Sequence, residues 1–413
     1  MKEEYLMLSV EEALERVLSP FQPLPPERIP VLETLGRVLT EDVFADMDVP
    51  PLTNTAMDGY AVRAEDTARA SRENPVRLRI IGNLTAGRTT EVAVTAGCAI
   101  RIMTGVPIPP EADAVVQFED TDQGSERVEI FKGVEAGTNL RLAGEDVKKG
   151  GLILPRGTEI RPQEVGMLAA LGRKEAWVHR RPRVAILATG DELIEIDAPW
   201  SAGKIRNSNS YSVAAQVIRY GGLPLLLGIA RDDEGELTSK VREGLGRGAD
   251  LFLTSGGVSM GDFDMVKKVL AAEGKMGFWR VRMKPGKPLA FGQIGGIPLL
   301  GLPGNPVSAM VTFELFARPA ILKMQGKSRL EKPIIEAKLM DTVPYKDKRR
   351  HYLRVIVERQ GSEYKARLTG DQGSGILLSM VRSQGLAIIP EDVDHLPTET
   401  KVPVIMLDWP EDK

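Results

Sequence analysis

Hydrophobic and polar positions divide the chain into stretches of different period. Residues 9–18 (SVEEALERVL) repeat at helical spacing, with Ser9 placed as N-cap and Glu12 three residues on, which predicts a capping box. The first 18 residues read as an acidic amphipathic helix; they lack the basic and apolar segments of a secretory signal. The proline-rich stretch 20–30 must be extended, and a second short helix is predicted from about Thr34. From about 46 to 144 the pattern changes to short strands punctuated by Gly and Pro: VRLRIIG, EVAVTAG, CAIRIMTG, DAVVQFED and RVEIFKG. Helical spacing returns at 161–172, with Pro162 in a favourable first-turn position.

Residues 183–325 alternate differently. Apolar strands RVAILAT, LPLLLGIA and DLFLTS are each followed by a helical run: NSYSVAAQVIRYGG, DEGELTSKVREGLG and DMVKKVLAAEG. In the first of these helices Val213, Val217 and Ile218 are expected on one face, with Gly221 as the stop. Strands WRVRM, PLAFGQI and IPLLGL precede a long helix, PVSAMVTFELFARPAILKM. This alternation predicts a mostly parallel sheet covered on both faces. Residues 329–413 revert to β patterning, as a terminal barrel or sandwich. The expected organisation is a discontinuous helical and extended domain (1–45 with 145–180), a β-rich domain (46–144), an α/β domain (181–328) and a C-terminal β domain (329–413).

Composition removes several function classes. At 413 residues the chain needs more than one core, and a net charge of −3 argues against a nucleic-acid coat or a polybasic membrane anchor. Aromatics make up only 5%, too few for base-stacking platforms. The single cysteine, Cys98, excludes an intrachain disulfide and a Cys-based metal cluster, and reads as core. Three dispersed histidines support neither a His-rich metal site nor a Ser–His–Asp set. No apolar run is long enough to span a membrane, and a cytoplasmic protein is expected.

What remains is acids, lysines, hydroxyls and glycines at strand ends. ATGDEL (188–193), TSGGVSMGDFD (254–264) and GLPGNPVS (301–308) each follow an apolar strand, and ligands of parallel sheets bind outside those carboxyl ends. Gly256 and Gly257 let the backbone approach a ligand, while Ser255 and Ser259 offer hydroxyls. Asp262 and Asp264 are helix-capping acids or cation ligands; the same choice applies to Asp191 with Glu192 and to Asp232 with Asp233. MKPGKPLAFG places Lys284 and Lys287 three residues apart in a stiff turn suited to one oxyanion. Asn305 is positioned to cap the helix that Pro306 opens. In the β-rich stretch, Asn54, Thr55, Asp58 and Thr104 sit in turns; the basic run YKDKRRHYLRV reads first as solvated surface, with Arg350 or Arg354 reaching an anion as the alternative. Neither a Walker loop nor a dinucleotide fingerprint is present. This inventory suits an anhydride or phosphoester held with Mg²⁺.

TAMDGYA (55–61), RIMTGVP (101–107), TGDEL (189–193), SGGVSMGDFDMVK (255–267), MKPGKP (283–288) and GLPGNPVS (301–308) together resemble the molybdopterin molybdenumtransferase, or molybdenum insertase, family, relatives of the gephyrin E domain. The resemblance implies an elongated homodimer with one domain like the molybdopterin adenylyltransferase fold. It implies Mg²⁺-dependent transfer of molybdate to adenylylated molybdopterin with release of AMP, and possible transient contact with the adenylyltransferase. By motif, it implies activity roles for Asp58, Thr104, Glu192, Asp232, Asp264, Pro303 and Pro306, with Glu192, Asp232 and Asp264 as Mg²⁺ ligands. It implies substrate contacts for Ser255, Gly256, Gly257, Ser259, Lys284, Lys287, Arg354 and Ser379, several of them at molybdate. It also leads us to expect Asp58 and Thr104 to be donated across a subunit interface. Tungstate is a dianion of the same shape, and related E domains act as scaffolds; the intact acid set favours the enzyme.

Overall fold

The computed structural model describes residues 6–231, 233–256, 274–344, 347–393 and 395–409. It falls into two compact units: residues 1–27, 36–38 and 178–413, and residues 28–35 with 39–177.

The larger unit contains a seven-stranded sheet. Its spatial order is Leu6–Leu8, Gly274–Val281, Pro288–Ile294, Ile297–Leu302, Leu251–Ser255, Arg183–Thr189, Leu223–Ala230. Arg183–Thr189 pairs in parallel with both Leu223–Ala230 and Leu251–Ser255, which pairs in parallel with Ile297–Leu302. The three strands from Gly274 to Leu302 form an antiparallel meander. Alternation along each strand serves two cores. Val184, Ile186, Leu251 and Leu253 face one side with Val213, Val217 and Phe313; Ala185, Leu187 and Phe252 face the other with Leu237 and Val241.

The capping box forms: Ser9 Oγ accepts from Glu12 N, and Glu12 accepts from Ser9 N. The N-terminal segment is otherwise a correction to the sequence reading. Leu6–Leu8 is a strand, parallel to Gly274–Val281, and the helix starts at Val10. Val10, Ala13 and Val17 bury in the sheet's core, and residues 6–27 fall in the same compact unit as that sheet, while Pro25 O accepts from Arg180 N at 3.1 Å and Leu24 O lies 2.6 Å from His179 Nδ1. The later part of that segment does meet 145–180: Val43–Phe44 pairs with Leu152–Leu154, and Leu39 N donates to Thr158 O at 3.0 Å.

In helix Ser208–Arg219, Val213 and Val217 are buried but Ile218, one position round, is 62% exposed. The helix predicted over 264–274 lies outside the described residues except Gly274, which opens a strand. The long helix after Asn305 has a π turn, Phe313–Ala317, between Pro306–Thr312 and Arg318–Met324. Pro319 lacks the N–H an α-helix needs there, and widening the preceding turn relieves its ring against the earlier carbonyl.

The β-rich C-terminus closes into a barrel. Arg350–Gln360, Glu363–Leu368, Ile334–Leu339, Thr400–Met406 and Gly385–Ile389 pair in turn, and the last returns to the first. Val355, Val357, Ala366, Val402 and Val404 fill it.

The smaller unit contains a five-stranded sheet in the order Ala114–Gln117, Gly59–Val62, Cys98–Ile102, Val76–Leu84, Arg127–Ile130. The predicted strand EVAVTAG is not one; Val94 alone is fully buried there. The helix expected from Thr34 is a 3₁₀ turn, Val31–Thr34, that ends at it. Cys98 is buried, as its place in an apolar strand requires. Among the described residues no helix is long and apolar enough to cross a membrane.

Candidate functional site

The carboxyl ends of Arg183–Thr189, Leu251–Ser255 and Ile297–Leu302 open into one cavity of about 560 Å³. Three predicted turns meet there: Gly190 and Glu192 from the first, Ser255 and Gly256 from the second, Pro303 and Pro306 from the third. Gly256 has φ +91°, and a Cβ there would stand 2.5 Å from Thr189 O. Only glycine allows the two strand ends to close this tightly.

The first turn of helix Ser208–Arg219 supplies a residue that sequence reasoning missed. Asn209 Nδ2 donates to Ser255 Oγ and to Gly304 O, each at 2.7 Å. One amide therefore ties a helix, a strand end and the Pro303–Pro306 loop at the cavity wall. Its only signal was its place as the first residue of the helical run NSYSVAAQVIRYGG.

Asn305 does not cap its helix by its side chain. Its Nδ2 donates to Ser374 Oγ at 3.0 Å, while Pro306 does occupy the first helical turn. Asp233 is a cap, accepting from Glu236 N at 2.8 Å. Asp232, Gly257, Ser259, Asp262 and Asp264 lie outside the described residues. Among the described residues no group of three or more His, Cys, Asp or Glu side chains is arranged around a metal position. Among the described residues, Glu192 alone supplies a carboxylate to this cavity.

A second cavity, about 700 Å³, shares Pro288 and Ser308 with the first. Lys284 and Lys287 line it, with Arg349 and the Gly370–Ser374 loop. Gly286, between the lysines, has φ +101°; a Cβ would meet Thr312 Oγ1 at 2.5 Å, so this turn also needs glycine. Arg354 and Ser379 do not line either cavity. Arg354 is 1% exposed; its Nε donates to Ser379 Oγ and its Nη2 to Gly373 O, both at 3.0 Å. Both residues thus brace the loop that walls the second cavity. Arg350 is engaged elsewhere, with Glu11 and Glu391.

In the smaller unit, Thr104 N and Thr104 Oγ1 both donate to Asp58 Oδ1 at 2.7 Å. Those two bonds, the backbone one first, hold the exposed Asp58 carboxyl below its ordinary range. Thr55 Oγ1 donates to Met57 O at 2.6 Å and fixes the same turn.

Three family models match in order along the chain. The MoeA N-terminal region (domain I and II) matches residues 8–172, the probable molybdopterin binding domain 185–323, and the MoeA C-terminal region (domain IV) 336–407. Molybdopterin molybdenumtransferase 2 of Mycobacterium tuberculosis is 36% identical over 404 residues, covering 96% of this chain and 99% of its own. The chain belongs to the molybdopterin molybdenumtransferase family. Molybdopterin molybdenumtransferase of Bacillus subtilis is 34% identical, covering 99% and 98%. A crystal structure of molybdopterin biosynthesis moeA protein from Pyrococcus horikoshii is 33% identical with a TM-score of 0.80, covering 97% of this chain and all of that one. In this molybdenumtransferase the Thr189, Ser255 and Pro303 strand ends all fall inside the matched molybdopterin-binding region.

Proposed function

We propose that this molybdenumtransferase of molybdenum cofactor biosynthesis takes adenylylated molybdopterin in the first cavity and molybdate in the second, and releases AMP. The observation that carries the reading is the division of labour between adjoining cavities. Among the described residues, one offers hydroxyls, amides and the Glu192 carboxylate; the other gathers Lys284, Lys287 and Arg349. Pro288 and Ser308 line both cavities, which supports a reading with the oxyanion next to the pterin nucleotide.

In this reading Asp58, Thr104, Glu192, Asp232, Asp264, Pro303 and Pro306 serve the reaction. Ser255, Gly256, Gly257 and Ser259 hold the nucleotide end. Glu192, with Asp232 and Asp264, would hold Mg²⁺. One or two carboxylates completed by phosphate oxygens and water is an ordinary set for that ion, so Glu192 in a cavity rich in neutral oxygen donors fits it. When bound, the ion neutralises charge on the pyrophosphate. Ser255 Oγ, already held by Asn209, is pre-placed as a donor or acceptor at the cavity wall. Lys284 and Lys287 face the oxyanion, and Arg354 with Ser379 keeps the neighbouring loop in place. We further propose a homodimer, tested by light scattering at micromolar concentration.

The test of function is AMP release against molybdate concentration at fixed Mg²⁺. Lys287→Ala should leave nucleotide binding largely intact and raise the molybdate needed for half-maximal turnover about tenfold to a hundredfold, the loss of one charge-assisted hydrogen bond. An unchanged molybdate dependence would remove the second cavity from the reading.

A further inference from the structure

One carboxylate in the larger unit is held between a buried histidine and two cations, both of which line the second cavity. Asp347 Oδ2 accepts from Arg349 Nη2 at 2.5 Å and lies 3.5 Å from Lys284 Nζ. Asp347 Oδ1 lies 2.7 Å from His351 Nε2. Asp347 does not itself line the cavity; Lys284 and Arg349 do. His351 is 2% exposed, and its burial pushes its pKa down against the pull of Asp347. A neutral imidazole meets an ionised carboxylate only by donating its Nε2 proton. Burial alone would raise the Asp347 carboxyl, but the bonds from Arg349 and His351 outweigh it and hold it well below the usual range. A fixed anion therefore stands behind two of the cavity's three cations.

We propose that Asp347 is a resident counter-anion that shares Lys284 and Arg349 with the incoming tetrahedral oxyanion and thereby limits how tightly that oxyanion is retained. This rests on the oxyanion reading of the second cavity. Among the described residues of the wall, Lys284, Lys287 and Arg349 carry three positive charges against Asp371, and Asp347 offsets one of them. An oxyanion that must be handed on to a neighbouring substrate cannot be held by the full excess.

The sign of the effect separates this role from mere bracing. Repulsion between Asp347 and a bound anion scales with the anion's charge. For an anion seated beyond Lys284, on the order of 7 Å away at an effective dielectric of about 50 for this solvent-exposed wall, each anionic charge loses about fivefold in affinity. Asp347→Asn should therefore tighten a monoanion about fivefold and a dianion about 25-fold, the square of the first.

The experiment measures binding of molybdate and of perrhenate, a tetrahedral monoanion, to the full chain by titration calorimetry at low ionic strength without pterin. Wild type, Asp347→Asn, Asp347→Ser and Lys287→Ala are compared, each checked for a native thermal transition. Tighter binding in a folded Asp347 variant, with the larger gain for molybdate, supports the proposal. Molybdate binding that is weaker or unchanged in whichever Asp347 variant folds overturns it, because Asp347 would then only brace the cations or do nothing. If Lys287→Ala binds molybdate as wild type does, the cavity reading fails and takes this inference with it. Loss of binding in Lys287→Ala alone, with no gain in the Asp347 variants, removes only the inference.

Discussion

Glu314 offers the sharpest test of how the site is held in shape. It sits on the π turn of the helix that begins at Pro306, and its side chain is 6% exposed. Its carboxylate accepts from Gln216 Nε2 at 2.9 Å and from Tyr220 OH at 3.0 and 2.9 Å. Arg318 Nε and Lys332 Nζ lie 3.7 and 3.6 Å away, with side chains 7% and 11% exposed. Gln216 belongs to the helix that carries Asn209, and Ser308 to the helix that carries Glu314. The network therefore joins the two helices whose first turns line the first cavity. Glu314→Gln keeps the shape and removes the charge, leaving two buried cations without their shared carboxylate. Breaking a buried network from one side costs about 3–5 kcal/mol. Burial already pushes the Lys332 pKa down, so that lysine can shed its proton and relieve part of the penalty. Arg318 keeps its bond to Leu330 O at 2.5 Å. The lower end, about 3 kcal/mol, is expected. Urea denaturation followed by tryptophan fluorescence reads it, since Trp200, Trp279 and Trp409 lie in the same unit. Adding Lys332→Met to Glu314→Gln should recover about 1 kcal/mol or more, because one orphaned charge is gone. A loss below about 1 kcal/mol in Glu314→Gln, or no recovery in the double variant, would refute the argument that these ions are coupled.

Two further outcomes follow from the site geometry. Thr104→Val removes the hydroxyl donor to Asp58 and keeps the backbone one, so the Asp58 carboxyl should titrate higher by NMR. The sign is fixed by the lowered folded-state pKa: the Asp58 contribution is full above the unfolded carboxylate pKa of about 3.9 and fades as pH falls through the folded value, so the variant should narrow that window. Gly256→Ala places a methyl 2.5 Å from Thr189 O at φ +91°, and should cost about 2–4 kcal/mol in denaturation and weaken pterin-nucleotide binding; a variant as stable as wild type would show that the strand ends can part.

The α/β alternation was legible because period, length and punctuation agree there. A strand of seven apolar-rich residues followed by a polar turn and a 3.6-period run has few other readings. The barrel was legible as strands, but its closure depends on Gly385–Ile389 returning to Arg350–Gln360, a pairing no local pattern encodes. The strand Leu6–Leu8 was missed because three residues before a strong helix carry no period of their own. EVAVTAG alternates correctly, yet no neighbouring strand pairs with it. The glycine turns of the site were legible for a local reason: the backbone conformation at Gly256 and Gly286 disfavours other residues. Asn209 and Asp347 were not, because their importance arises from partners 46 and 63 residues away, Ser255 and Lys284, that only the fold brings near; Arg349 takes its place from Asp347, two residues before it. Arg354 shows the converse. Its motif position pointed to the oxyanion, and its complete burial makes it a brace for the Gly373 loop.

The barrel has a specific part in this arrangement. Met283–Lys284, immediately after the meander strand Gly274–Val281, pairs in parallel with Arg350–His351 at the start of a barrel strand. That short pairing is where sheet and barrel share backbone hydrogen bonds, and it fixes Lys284 in register with His351. Arg349 precedes the pairing by one residue and Asp347 by three, so a single local register assembles the cation pair, the counter-anion and the histidine that orients it. The turn Lys284–Lys287 then returns directly into Pro288, which walls both cavities. A lysine turn on the sheet alone would be an exposed loop with two mobile ammonium groups. Paired with the barrel, it becomes a wall whose Lys284 is held beside Asp347 and whose distance from the first cavity is set by the sheet.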